Sequence, residues 1–391
     1  MRDFQYWLEH AIEKSLRIYN FLLLGRPTAT PRQEEIKKIL ICAYHGIGNF
    51  ILYTPTIAAL REYFPDAQID LQVGNHTGCE DVLAGTGYFT NIFDISSRGG
   101  WRYWLKHIFM VRHAKYDMLI NEFHSNSYFL AMMVSFSGAR YRVGHIRSSG
   151  WRDRYGFIYN VPVTMQEAQH EVDRYLDLAR KLGVPESLLT TLPFIHIDKE
   201  DERFAEDFLT NARVPPGRIV IGVQMGTSLN MRWKQWSPAR YRTLIEHLTR
   251  QLPEAWFLML GSANEEEMIR QWVDGISEKI IISAKHTTLK QAAALIKRCA
   301  LVICNDSGLM HVAVATHTPV VAIYGPTDYR RTAPLGSIHT MIRKDLSCSP
   351  CFRLAGDAQV QACTHHDCLN TIEVEDVLQV VLNKLLQPTE K

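Results

Sequence analysis

No stretch of this 391-residue chain approaches the roughly 20 consecutive apolar residues that a membrane-spanning helix needs. A leader pattern is also missing. Met1-Arg2-Asp3 runs into a charged amphipathic segment, not into an apolar core with a cleavage site, so the expected location is the cytoplasm. Charge of one sign is scarce: the formal net charge is +2, and nucleic acid is not an expected partner. There is no complete G-x-G-x-x-G fingerprint, and Asp70 stands at the start of its strand, where it cannot meet a nicotinamide ribose beyond the end. A dehydrogenase is therefore disfavoured. The eight cysteines are expected as thiols or metal ligands in such a chain, with Cys42, Cys299 and Cys304 inside apolar runs as core residues.

What is present is a soluble globular composition, 46% hydrophobic and 21% charged, at a length that favours two domains. The charge is unevenly spread. Between Arg98 and Arg154 ten Lys/Arg face three acids, which suits an acidic partner such as a phosphorylated saccharide or an anionic membrane surface. Residues 3–24 repeat Phe4, Trp7, Leu8, Ile12, Leu16, Tyr19 and Leu23 at spacings of three and four, the pattern of an amphipathic helix. That helix either lies on a membrane interface or docks on the protein or a second subunit. A linker at 27–31 follows.

From Lys37 onward strands and helices alternate. Strands are expected at Ile39–Ala43, Ile69–Val73, Ile92–Ile95, Tyr116–Asn121 and Tyr141–Gly144, then at Arg218–Gln224, Trp256–Leu260, Ile280–Ser283, Leu301–Asn305 and Pro319–Tyr324. Helices are expected between them, one over 167–182, with Glu373–Leu386 closing the chain. Two such series, joined near 185–215, predict an α/β protein with two doubly wound Rossmann-like domains. The expected divisions are 1–36 as extension and linker, 37–200 as the first domain and 201–391 as the second. Ligands of open α/β sheets bind beyond the carboxyl ends of strands, so an interdomain cleft is the expected active site.

Four strand ends carry chemistry. Asn305-Asp306-Ser307-Gly308 follows a buried strand and opens a helix containing His311. Unpaired N–H groups and the positive dipole end make that turn an anion site. Gly226-Thr227-Ser228 ends another strand, with Lys234 shortly after, and hydroxyls with a lysine can bind phosphate. Ser237 is a candidate N-cap with Pro238 at the first helical position. Gly261 and Glu265 follow a third strand, and the carboxylate can accept from ribose hydroxyls or simply stabilise its helix. In the first series, Gly46 and Gly48 permit close backbone approach at a strand–helix turn or merely make it tight.

These blocks together resemble glycosyltransferase family 9, the heptosyltransferases of the lipopolysaccharide inner core. The resemblance rests on Gly46–Pro55 with Ala58–Pro65, Gly226–Trp236, Gly261 with Glu265, Asn305–Ala313, Gly325–Asp328 and the Cys-Ser-Pro-Cys beginning at Cys348. It implies a GT-B fold and an inverting transfer that needs no metal or other cofactor, from a nucleotide-diphospho-sugar, ADP-heptose in the best-known members. By the same resemblance Thr227, Ser228 and Lys234 hold the diphosphate, Glu265 meets the ribose, and Asp306, Ser307, Gly308 and His311 frame phosphates and sugar. The implied acceptor is an acidic glycolipid, with peripheral contact at the inner membrane. The alternatives are transfer to a protein or another surface glycan, or a non-catalytic relative that binds the nucleotide sugar.

One position departs from the family. Many members place an acidic general base just after the first Gly turn, and here that residue is Asn49, whose amide takes no proton. Glu122 and then His124, after the strand 116–121, are the expected replacements, with Asn49 positioning the acceptor. Near the other end, Cys348, Cys351, Cys363 and Cys368 have a spacing that can close a tetrahedral structural site for zinc or iron.

Overall fold

The structure, a computed structural model, describes residues 2–23, 30–74, 78–95, 99–122, 127–147, 154–166, 168–227, 229–352 and 363–386. It separates into two compact units, Met1–Thr191 and Leu192–Lys391.

The first unit begins with helix α1 (Arg2–Leu23) and continues β1 (Lys38–Ala43), α2 (Ile47–Tyr63), β2 (Gln68–Gly74), α3 (Cys79–Val82) and β3 (Asn91–Ile95). Then come α4 (Trp101–Ala114), β4 (Met118–Asn121), α5 (Tyr128–Phe136), β5 (Tyr141–Ile146), β6 (Val161–Thr164) and α6 (Glu171–Lys181). Its six strands form one parallel sheet in the order β3-β2-β1-β4-β5-β6. β1 is buried from its second residue to its last and β4 throughout, which is why they read as unbroken apolar runs rather than alternating ones. α2 lies almost wholly in the core despite an internal Pro55. The ring removes the N–H that would bond the Ile51 carbonyl, and the Thr54 hydroxyl donates to that oxygen instead at 2.8 Å. α1 packs on α5, with Leu16 buried in the same core and Tyr19 against Phe136 at 4.7 Å.

The second unit contains α7 (Lys199–Asn211), β7 (Val220–Gln224), α8 (Pro238–Gln251), β8 (Trp256–Met259), α9 (Glu266–Val273), β9 (Ile280–Ile282) and α10 (Leu289–Lys297). It continues through β10 (Leu301–Asn305), α11 (Gly308–Ala315), β11 (Val320–Ile323), α12 (Tyr329–Thr332), β12 (Thr340–Ile342) and a closing helix, Val374–Leu386. The parallel order is β12-β11-β10-β7-β8-β9. Counted from its own first strand, this repeats the topology of the first unit. In each sheet the strand order reverses between the first and fourth strands, β1/β4 and β7/β10, and the crevice outside that point is where such sheets bind ligands.

The alternating pattern read from the sequence is therefore present, with three additions. β6 was missed because Pro162 interrupts it; the strand lies at the sheet edge, where a missing N–H is tolerated. β12 is a three-residue edge strand. α7 is so polar that its segment read as a connection, yet an Asp198/Asp201 capping box starts it. Ion pairs from α10 hold it: Lys290 to Asp198 at 2.8 Å and Lys297 to Glu202 at 2.8 Å. The helix expected over 167–182 begins at Glu171.

Candidate functional site

In the second unit the ends of β7 and β10 are stitched together by one buried amide. Asn305 closes β10, and its Nδ2 donates to the Met225 carbonyl at 3.0 Å while its Oδ1 accepts from the Trp236 backbone N–H at 2.9 Å. Gln235 Nε2 donates to the same Met225 carbonyl at 2.9 Å, and Ser307 Oγ donates to Gln224 Oε1 at 2.9 Å. The turn after β7 is thus fixed against the start of α11. Ser307 is the N-cap of α11, but its hydroxyl is engaged by Gln224 and does not cap the helix. Ser237 likewise stands at the N-cap of α8 with Pro238 at its start, without a side-chain capping bond.

Two of the expected donor residues meet directly: Lys234 Nζ and Asp306 Oδ2 lie 2.8 Å apart, with Asp306 almost fully buried. Burial pushes the Asp306 carboxyl up, but the Lys234 charge and hydrogen bond, with His311 behind them, outweigh it and hold the group below its ordinary range. The rings of Trp233 and Phe352 flank the ammonium at 5.6 and 5.8 Å. His311 is buried on the first turn of α11, beside Gly308. Thr227 is buried as well, its hydroxyl donating to the Met231 carbonyl at 3.1 Å. Ser228 lies outside the described residues.

Glu265 performs the helix-stabilising role considered for it. Its Oε2 accepts from the Ser262 N–H at 2.8 Å and from the Ser262 hydroxyl at 2.7 Å, a capping box at the helix start. Its Oε1 is buried with no hydrogen-bond partner among the described residues. That oxygen sits against Gly226: a Cβ built there would lie 1.7 Å from it. A bare backbone at 226 is therefore required to keep the carboxylate where it is. Gly261 is constrained too, since a Cβ there would come within 2.7 Å of Ile269.

In the first unit, β1 and β4 deliver a second group to their switch point. Pairing of the two strands runs to Cys42 opposite Asn121, and the Glu122 N–H extends it by donating to the Cys42 carbonyl at 3.1 Å. Asn121 anchors the strand end through Tyr159, whose hydroxyl it reaches at 2.7 Å. Glu122 Oε1 then accepts from the His45 backbone N–H at 3.1 Å and lies 3.0 Å from His45 Nδ1. The Glu122 side chain is 1% exposed and the imidazole 32%. Glu122 Oε2 is buried without a hydrogen-bond partner among the described residues. Around this pair, burial pushes the Cys42 thiol up to about 12 and the Tyr44 and Tyr53 phenols up as well, and the Glu122 charge raises each of them further. The imidazole pairs with that carboxylate. An ionised carboxylate only accepts, so it fixes a neutral His45 as the Nδ1–H tautomer and gives Nε2 the lone pair.

Asn49 is half-buried in the first turn of α2. His124 lies outside the described residues. Gly46 is the N-cap of α2 with an ordinary φ of −69°, and a Cβ there would meet nothing within 4 Å, so the internal packing makes no demand for glycine. Gly48 lies half-buried in the same turn. Sequence reasoning placed His45 only near the first turn, without a role, and Asn305 only as part of the turn after its strand. The only signal for Asn305 was a lone polar residue closing an apolar strand. Pairing His45 with Glu122 required knowing that β1 and β4 are neighbours.

The expected zinc or iron site is not supported. Among the described residues no three His, Cys, Asp or Glu side chains gather as metal ligands. Cys348 is exposed, Cys351 and Cys363 are half-buried and Cys368 is buried. The Cys368 thiol is pushed up to about 11, by burial first and then by the Cys351, Cys363 and Cys348 sulfurs. Cys42, Cys299 and Cys304 are core residues as expected.

The profile of glycosyltransferase family 9 (heptosyltransferase) matches residues 104–359. Lipopolysaccharide heptosyltransferase 2 of Escherichia coli is 27% identical over 330 residues, covering 78% of this chain and 88% of that protein. A crystal structure of a family 9 glycosyl transferase from Veillonella parvula superposes with a TM-score of 0.72 at 20% identity, covering 92% of this chain and 99% of that one. The structure of the ADP-heptose lipopolysaccharide heptosyltransferase II of Escherichia coli gives 0.69 at 24% identity, covering 90% and 99%. The two parallel sheets are those of the GT-B fold, and no helix among the described residues is long and apolar enough to cross a membrane. The chain belongs to glycosyltransferase family 9, the heptosyltransferases, and is a glycosyltransferase.

Proposed function

We propose that this enzyme transfers a heptose from ADP-heptose to a phosphorylated lipopolysaccharide core sugar on the cytoplasmic side, with inversion. The donor part rests on one observation above the others: an unpartnered Glu265 oxygen held against Gly226, next to Thr227 on the segment after β7 whose Lys234 pairs with Asp306 after β10. In this reading that oxygen accepts from the ribose hydroxyls, while Lys234, Thr227, Ser228 and the first N–H groups of α11 take the diphosphate. His311, Ser307 and Gly308 frame the sugar. The charge that develops on the departing diphosphate is met by these donors. Asp306, already paired with Lys234, is poorly placed to hold a metal instead, which supports a metal-independent transfer.

For the acceptor half, the proton goes to His45. The acceptor hydroxyl attacks the anomeric carbon, its proton passes to His45 Nε2, and the bond from that carbon to the diphosphate oxygen breaks, releasing ADP. Glu122 carries the imidazolium charge and fixes the tautomer. Glu122 is then a positioning residue and not the base itself, and Asn49 orients the acceptor. The bare backbone at Gly46 leaves room for the acceptor to approach.

Incubation with ADP-heptose and a truncated core acceptor is expected to give an acceptor heavier by one heptose in the mass spectrum. Binding of ADP-heptose with no product on any core, peptide or glycan acceptor would make the chain a nucleotide-sugar-binding relative instead. Gly226→Ala is expected to push Glu265 aside and weaken ADP binding by about 10- to 100-fold in titration calorimetry, the loss of a charged hydrogen bond. The unfolding temperature should move little. Unchanged affinity would remove Glu265 from the donor pocket.

A further inference from the structure

Ser307 stands half-buried where β10 meets α11, and its one hydroxyl hydrogen is already committed. The commitment starts in β7. Gln224, 3% exposed, donates from its Nε2 to the Gly226 carbonyl, and its Oε1 accepts from the Ser307 hydroxyl at 2.9 Å. Exchanging the two amide atoms is no alternative. A carbonyl only accepts, so the nitrogen must face Gly226 and the oxygen must face Ser307. An amide oxygen only accepts as well, so the Ser307 hydroxyl has to be the donor.

With that hydrogen spent, Ser307 offers a ligand lone pairs alone. Turning the hydroxyl round would leave the buried Gln224 oxygen without its donor, at a cost comparable to the bond that would be gained. Thr227 differs, although its hydroxyl also donates, to the Met231 carbonyl at 3.1 Å. Met231 is half-buried, where water can take the hydroxyl's place. The oxygens of a diphosphate that links a nucleoside to a sugar carry no hydrogen, so lone pairs on Ser307 repel them. A sugar hydroxyl can donate to those same lone pairs.

We propose that Gln224 is what lets the donor pocket distinguish a nucleotide sugar from the free nucleotide. By holding the Ser307 hydroxyl as an acceptor, it directs that side chain to a hydroxyl of the transferred sugar and away from the diphosphate. Gln224 is a positioning residue and acts through Ser307. The inference rests on the donor reading above and goes beyond it in supplying this discrimination. It also bears on turnover. Once the sugar has passed to the acceptor, ionised ADP has no hydrogen to give Ser307, and the product is held less tightly than the donor.

Titration calorimetry of the full chain with ADP and with ADP-heptose, at about pH 8 where the terminal phosphate of ADP is ionised, measures the preference directly. Ser307→Ala is expected to narrow the preference for ADP-heptose by about 3- to 10-fold, the worth of one hydrogen bond, with ADP affinity unchanged. Gln224→Met should narrow it as much, and the double variant should lose no more than either single change. Gln224→Glu should keep the ratio while both affinities fall, since its carboxyl still offers Ser307 an acceptor whether or not it is protonated. A merely structural role for Gln224 would lower both affinities together and leave their ratio alone. Circular dichroism melts establish that each variant folds, and the half-buried Ser307→Ala decides if Gln224→Met does not. A ratio unchanged in the folded variants overturns the proposal, as does wild-type protein that binds both ligands equally. So does an equal loss of both affinities in Ser307→Ala, which would give the hydroxyl to the phosphates. Wild-type protein that binds neither ligand removes the donor reading itself, and this inference with it.

Discussion

His45→Gln is expected to lower kcat by about 100- to 10,000-fold, the range set by loss of a general base, with donor affinity unchanged. Glu122→Gln should lose a similar amount for a different reason. A glutamine amide can donate to Nδ1, which turns the neutral imidazole into the Nε2–H tautomer and occupies the lone pair the acceptor proton needs. Single-turnover transfer read by mass spectrometry separates the roles. If both variants transferred at near wild-type rates, the proton would go elsewhere, and His124 would return as the group to test. A loss confined to Glu122→Gln would leave the carboxylate as the base and His45 as its support.

Lys234→Met should destabilise the second unit by about 3–5 kcal/mol, because it leaves the Asp306 charge buried without its partner. The sign of the pH dependence should also reverse. In the wild type the Asp306 carboxyl is held below its unfolded value. The stability it contributes is present above the ordinary carboxylate range and is lost as pH falls through the folded value. Without Lys234, burial raises the folded value above the unfolded one, so the contribution is present in acid and lost as pH rises. Thermal unfolding followed from pH 7 toward about pH 4 should show the gap between the two proteins closing. A constant gap would mean that Lys234 and Asp306 are not energetically linked. The same variant should bind ADP poorly, since the proposed reading gives the diphosphate to this ammonium.

Much of this was legible in the sequence because parallel strands buried on both faces leave continuous apolar runs, and their polar turns stand out at the ends. The β10–α11 turn and the blocks at Thr227, Lys234, Gly261 and Glu265 all sit where that reading put them, on strand ends of one sheet. What escaped were relations between elements that are distant in the chain. Lys234 and Asp306 are 72 residues apart and neutralise one another, and His45 and Glu122 are 77 apart. Such pairs depend on which strands neighbour which, and hydrophobic periodicity carries no strand order. The Cys spacing misled for a related reason. Spacing is necessary for a metal site, but three or more side chains must also be placed as ligands, and among the described residues none are.

The repeated strand order has a consequence for how such an enzyme can change. Each sheet has its own reversal point, so in the proposed reading the proton-accepting pair belongs to the loops after β1 and β4, and the nucleotide pocket to the loops after β7, β8 and β10. The side chains that serve one half-reaction make no part of the other's sheet. Mutations around β1 and β4 can thus explore new hydroxyls to glycosylate while Gly226, Glu265 and the Lys234–Asp306 pair stay as they are. In the proposed reading Asn49, in the first turn of α2 after β1, lies on the acceptor's side of that division, where a change of side chain leaves the nucleotide's loops untouched.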